Sequence, residues 1–100
     1  MSIVPKAKLR VNKISIEMKE YVEELVARTT IGLVTPLRGT EDMKSLEVYL
    51  EKSTVKISVN GNDITLTEFP TEIIVNTLTA LVSSLKDVDT IDNLDISITV

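Results

Sequence analysis

Laid over itself with a shift of 48 positions, the chain matches itself without a gap from residues 7–50 onto 55–98. Identical pairs run through the whole overlap: Lys8/Lys56, Val11/Val59, Asn12/Asn60, Ile16/Ile64, Glu20/Glu68, Glu24/Glu72, Thr29/Thr77, Leu33/Leu81, Val34/Val82, Leu37/Leu85 and Leu46/Leu94. Conservative pairs such as Leu9/Ile57, Met18/Leu66, Tyr21/Phe69, Leu25/Ile73 and Val48/Ile96 fill the intervals. Self-similarity at a fixed period reads as one supersecondary unit used twice. The chain is therefore expected to be a single domain over residues 1–100, made of two repeats, 7–50 and 55–98. A unit of this size lies near the limit below which folds need metals, disulfides or a partner. The sequence has no Cys and no His to supply the first two, so each half is expected to complete the other.

Inside each repeat the hydrophobic period changes in the same order. Ala7, Leu9 and Val11 alternate with Lys6, Lys8, Arg10 and Asn12, and Val55, Ile57 and Val59 alternate with Thr54, Lys56, Ser58 and Asn60. Alternation of this kind marks half-buried strands. Asn60-Gly61-Asn62-Asp63 is a turn signal, because these residues tolerate positive φ, and Ile64-Thr65-Leu66 resumes the alternation. The equivalent Asn12-Lys13-Ile14-Ser15 lacks glycine and predicts a looser or bulged turn.

From Tyr21 the spacing becomes helical, with Val22, Leu25, Val26, Thr29, Leu33 and Leu37 on one face and Glu20, Glu24 and Ala27 on the other. The second helix is rich in β-branched residues, which lowers its own propensity, and its registration onto the first decides the assignment. Pro70 suits a first helical turn, and Pro36 is expected to end the first helix near Thr35. Closing strands follow at Leu46–Leu50 and Leu94–Val100, and the short link Glu51-Lys52-Ser53-Thr54 makes a hairpin between repeats. The fold class is α+β, with an internal duplication of a ββαβ unit. Its two layers are a mostly antiparallel six-stranded sheet and two helices on one face. Two three-stranded sheets facing each other, with helices outside, is the other arrangement; strand order is left open.

Absence of His and Cys removes Ser-His-Asp, Cys-His and His-Glu metal chemistry, so no catalytic, cofactor or metal residue is assigned. Asn76, Thr77, Ser83, Ser84 and Lys86 are the first positions to inspect for other catalysis, although hydrogen bonding at the helix flank accounts for them. Asp87, Asp89, Asp92 and Asp95 lack the glycine and terminal glutamate of a calcium loop and read as a solvated connection. No apolar run approaches the ~20 residues of a membrane span, and no signal peptide is apparent, which predicts a cytoplasmic protein with no membrane partner.

Lys6, Lys8 and Arg10, with Lys56, project from the face opposite the helices and could touch phosphates. Nucleic acid is nonetheless disfavoured, because only Tyr49 could stack there. Charge agrees, since the formal total is −4 and the excess of acid lies wholly in the second half, the first half being slightly basic. Ile31 and Val75 are expected to point to water on the charged helix face, which makes them candidates for a partner or a second copy. Gly32 and Ala80 are expected to let the helices approach closely. A small-ligand site at the seam near Thr30 and Leu78 is the second functional reading, and a weak nucleic-acid binder through Lys6, Lys8 and Arg10 is the third. The first is a small non-enzymatic protein-binding or structural module.

Val59-Asn60-Gly61, Ile64, Leu66, Phe69, Ile74, Asn76-Thr77, Val82-Ser83-Ser84-Leu85-Lys86 and Ile96 resemble a group of short uncharacterised archaeal proteins. The resemblance covers residues 57–98 and implies that those proteins carry one such unit, here present as a tandem pair. The first repeat departs from the pattern at Lys13, Arg28 and Pro36, and no activity is implied.

Overall fold

A computed structural model describes residues 4–52, 54–85, 88 and 90–100, except for the side chain of Phe69. In chain order the elements are β1 (Lys6–Val11), β2 (Ile14–Ile16), α1 (Glu20–Val34) and β3 (Ser45–Glu51), then β4 (Thr54–Val59), β5 (Asn62–Ile64), α2 (Glu68–Ser83) and β6 (Asn93–Thr99). All strands join one antiparallel sheet in the order β2-β1-β6-β3-β4-β5, which excludes two facing three-stranded sheets. The molecule is 18 Å through its thinnest dimension, the depth of one sheet carrying one layer of helices.

β6 pairs with β1, and β3 pairs with β4. The closing strand of each repeat therefore extends the hairpin of the other. The register recurs with the 48-residue offset: Leu9 faces Ile96 as Ile57 faces Val48, and Leu9 faces Ile16 as Ile57 faces Ile64. At the middle of the sheet Val48 faces Ile96, each other's equivalent. The inward residues of these two central strands are Leu46, Val48, Leu50, Leu94, Ile96 and Ile98, none more than 3% exposed. Burial of such side chains is worth about 1.5–3 kcal/mol each, so the sheet centre is the chief apolar anchor of the fold.

The two hairpin turns are alike, contrary to the looser first turn that the missing glycine predicts. Asn12 and Lys13 have φ of 54° and 68°, and Asn60 and Gly61 have 53° and 83°. Two successive positive φ values match the right-handed twist of the flanking strands, and that match sets the turn even where lysine must occupy the left-handed region. Both second strands are three residues long, with β5 beginning at Asn62, earlier than the expected start at Ile64.

α1 is rotated by about one residue step from the phase that its sequence predicts. Its buried line is Val26, Ala27, Thr30 and Val34, while Leu25, expected inside, is 38% exposed. α1 ends where Pro36 predicts, with Thr35 closing it through its N–H to the Ile31 carbonyl; Leu37 lies beyond the helix and, like Val22 and Leu33, is half-buried against the core. Among the described side chains of α2 the fully buried ones are Ile74, Leu78 and Val82.

Candidate functional site

Period-two alternation puts one wholly polar surface on the open side of the sheet. Lys6, Lys8 and Arg10 of β1 are exposed there, where the sequence places them. Across the strands the register sets Lys8 against Ser97 and Glu47, and Arg10 against Asp95 and Tyr49, with Lys56 next to Tyr49. The basic strand thus borders β6, which carries Asp95, and beyond it lies β3 with Glu47 and Glu51, so the surface is mixed in sign. The Tyr49 hydroxyl donates to Glu51 Oε2 at 2.8 Å. This bond, with lesser contributions from desolvation and from the negative charges of Glu51 and Asp95, raises the Tyr49 pKa above its ordinary value.

The outer side of the helix layer differs. Tyr21 is 76% exposed, more than any other large apolar side chain among the described residues, and Ile73 is also exposed. Tyr21, Leu25 and Arg28 follow one another at helical spacing and, with Glu20 and Glu24, line a hollow of about 430 Å³. Arg28 Nε donates to Glu24 Oε2 at 2.9 Å, an exposed intrahelical pair that holds the guanidinium along the helix. Leu25 and Ile73 are equivalent positions of the two repeats, so each helix shows an apolar residue at the same place. A smaller hollow of about 190 Å³ opens at the edge of β1 past the end of β2, where Glu23 Oε2 accepts the Ala7 N–H at 3.0 Å.

Several sequence expectations are corrected by these positions. Ile31 and Val75 do not point to water; both are half-buried and packed against the core, because the rotation of α1 and its counterpart in α2 carries them inward. Ala27, expected outside, is fully buried. Gly32 and Ala80 do not form a helix seam: both are exposed, and a Cβ on Gly32 would meet nothing within 4 Å. Asn76 is exposed and its neighbour Thr77 is half-buried on α2. Ser83 and Ser84 donate their hydroxyls to the Thr79 and Ala80 carbonyls one turn back. Lys86, Asp87 and Asp89 lie outside the described residues.

At the proposed ligand seam, Thr30 and Leu78 are wholly shielded, and the Thr30 hydroxyl donates to the Val26 carbonyl at 2.7 Å. Both hollows described above open elsewhere. Among the described residues no group of three or more carboxylates converges as metal ligands would, and no helix is long and apolar enough to cross a membrane.

Tyr21, Leu25 and Ile73 are surface residues that helical spacing alone assigns to the core or leaves unremarked. The signal available was the one aromatic residue of the first helix, placed one turn before Leu25 on the side that Arg28 marks as outward. Comparison with protein-family models, with curated proteins and with solved structures finds no match.

Proposed function

We propose that this chain is a small non-enzymatic protein-binding module whose recognition surface is the outer face of α1. The observation that carries this reading is Tyr21, three-quarters exposed at the rim of a hollow that also has Leu25 in its lining. Exposed aromatic and aliphatic groups beside a charged rim are the usual composition of a binding patch, and Tyr and Arg are enriched among residues that dominate binding energy. A non-enzymatic role is supported by the absence of His and Cys and by the commitment of the Ser83 and Ser84 hydroxyls to the α2 backbone. The reading keeps the cytoplasmic placement, and it takes the two repeats as products of duplication, for which the recurrence of register at the 48-residue offset is the support.

A photo-crosslinking amino acid in place of Tyr21, compared with the same group in place of Glu47 on the open sheet face, tests the reading inside the source cells. A discrete protein adduct from position 21 and none from position 47 is expected. Equal labelling from both positions, or none from either, overturns it.

A further inference from the structure

We propose that Asn60 is a site of irreversible self-modification, in which its side-chain amide is lost to attack by the Gly61 backbone nitrogen, and that the folded chain delays this loss. Of the chain's asparagines, Asn60 alone precedes a glycine. With no side chain at position 61 the backbone nitrogen is unshielded. A Cβ built there would meet nothing within 4 Å, so water has access to the turn. The reaction needs only these groups and water. The Gly61 nitrogen gives up its proton and bonds to Asn60 Cγ, the Cγ–Nδ2 bond breaks, and ammonia departs with that proton, leaving a five-membered cyclic imide. Water then opens the imide at one carbonyl or the other, which leaves an aspartyl or an isoaspartyl residue at position 60.

The restraint comes from the surrounding backbone. Ring closure requires the carboxamide to turn until its carbon meets the Gly61 nitrogen, and both ends of that carboxamide are held. Oδ1 accepts the Lys44 and Ser45 N–H groups at 2.8 and 3.0 Å, and Nδ2, the leaving group, donates to the Asp42 carbonyl at 2.9 Å. The hairpin fixes Asn60 and Gly61 themselves at φ of 53° and 83°. Attack therefore waits for residues 42–45 to open away from the turn, a local event that needs less free energy than global unfolding. Asn12 is the internal control: it makes the same three bonds, to Asp92, Asn93 and Thr90, but Lys13 follows it. Loss of the amide at position 60 also removes the restraint. An aspartyl side chain has no Nδ2–H to donate and sets a carboxylate against the Asp42 carbonyl, while an isoaspartyl link adds a main-chain atom to the turn. Both products loosen the start of β3.

The test follows the full chain by peptide mass analysis at mildly alkaline pH, in buffer and in guanidinium chloride. Conversion at position 60 is expected to be at least about tenfold slower in the folded chain than in the unfolded one. Position 12 should convert far more slowly than position 60 in denaturant. Lys13→Gly should make position 12 labile there and slow again in the folded chain. Hydrogen exchange at the Lys44 and Ser45 N–H groups reads the same opening, so their protection should match the slowing at position 60. The converted protein, separated by its added negative charge, should unfold at lower denaturant than the parent.

Equal rates in the folded and unfolded chain would overturn the inference, as would no conversion at position 60 in denaturant. Position 12 converting there as fast as position 60 would remove the role of Gly61 and overturn it too. Slow conversion in the folded chain with Lys44 and Ser45 unprotected would assign the delay to the turn alone, against the restraint argued above. A converted protein as stable as its parent would show that the start of β3 does not depend on this amide.

Discussion

Asn12 and Asn60, one in each hairpin turn, make the same three side-chain hydrogen bonds to the loop that leads into the closing strand of the other repeat. Asn12 Oδ1 accepts the N–H groups of Asp92 and Asn93 at 2.7 and 3.1 Å, and its Nδ2 donates to the Thr90 carbonyl at 2.8 Å. Asn60 Oδ1 accepts from Lys44 and Ser45 at 2.8 and 3.0 Å, and its Nδ2 donates to Asp42 at 2.9 Å. Each asparagine therefore fixes the start of the strand that the opposite repeat contributes to the centre of the sheet. Either residue changed to Ala should lose about 1–2 kcal/mol, a modest sum for three bonds because water reaches the freed groups. Change of both should cost close to the sum, as the two clamps share no partner. Urea denaturation measures all three, and a double variant no weaker than either single would sink the idea that the clamps act independently.

The turns that carry these asparagines differ in one residue with a definite energetic consequence. Lys13 is held at φ of 68°, where a Cβ crowds the following carbonyl, while Gly61 occupies the same place without that cost. Lys13→Gly is expected to stabilise the protein by roughly 0.5–1 kcal/mol despite the greater freedom of glycine in the unfolded chain. Gly61→Lys is expected to destabilise by a similar amount; nothing lies within 4 Å of its Cβ position, so backbone strain alone is tested. Thermal melts of the two variants should shift in opposite directions.

A second asymmetry concerns the sheet edges. Asn60 N–H points toward β3, bonding the Ser45 carbonyl, so N–H groups an odd number of residues away point to the β5 side. Val55 is one of these, and β5 has ended at Ile64, opposite Ile57. The equivalent Ala7 N–H, past the end of β2, is taken by Glu23. Position 71, equivalent to 23, is Thr, and its hydroxyl donates to the Thr67 carbonyl. Among the described residues no side chain takes the Val55 N–H. Hydrogen exchange should therefore be slower at Ala7 than at Val55. Glu23→Ala should remove that protection and cost about 1 kcal/mol, with Glu23→Gln intermediate. Thr71→Glu should slow exchange at Val55; unchanged exchange there would show that the two edges are not interchangeable.

Sequence reading succeeds where side chains act locally and fails where long-range pairing decides. Ala7, Leu9 and Val11 declare a strand by alternation, and Ile73-Ile74-Val75 is readable as helix only because Leu25-Val26-Ala27 stands 48 residues before it. Nothing local, however, states that β3 and β6 meet at the centre of the sheet, since that follows from burying Val48 and Ile96 on both sides at once. The phase of α1 is obscured because apolar residues flank its buried line on both sides, Val22, Leu25 and Leu33 on one and Ile31 on the other. That rotation is what hides the candidate site: it turns Ile31 inward and Leu25 outward, the reverse of what the apolar spacing predicts. Lys6, Lys8 and Arg10 are placed correctly because a strand's period of two leaves no comparable freedom of phase.

The open sheet face supplies a test of its electrostatics. In the folded protein the Tyr49 hydroxyl donates to Glu51 and lies near the charge of Asp95, so the neutral phenol is favoured and its pKa is raised. A raised folded value means that folding holds the proton more tightly than the unfolded chain does, whose tyrosines ionise near about 10. The stabilisation is therefore whole below that pH and is lost as pH rises through the folded value. Ultraviolet titration of a Tyr21→Phe variant isolates the Tyr49 signal and should place its midpoint above the ordinary value. Glu51→Gln, which removes both the strongest hydrogen-bond acceptor and the adjacent charge, should bring the midpoint down and flatten the alkaline loss of stability. A midpoint unmoved by Glu51→Gln would mean that Tyr49 does not hold this bond in solution, and with it would go the view of the central strands as the acidic counterpart to Lys8, Arg10 and Lys56.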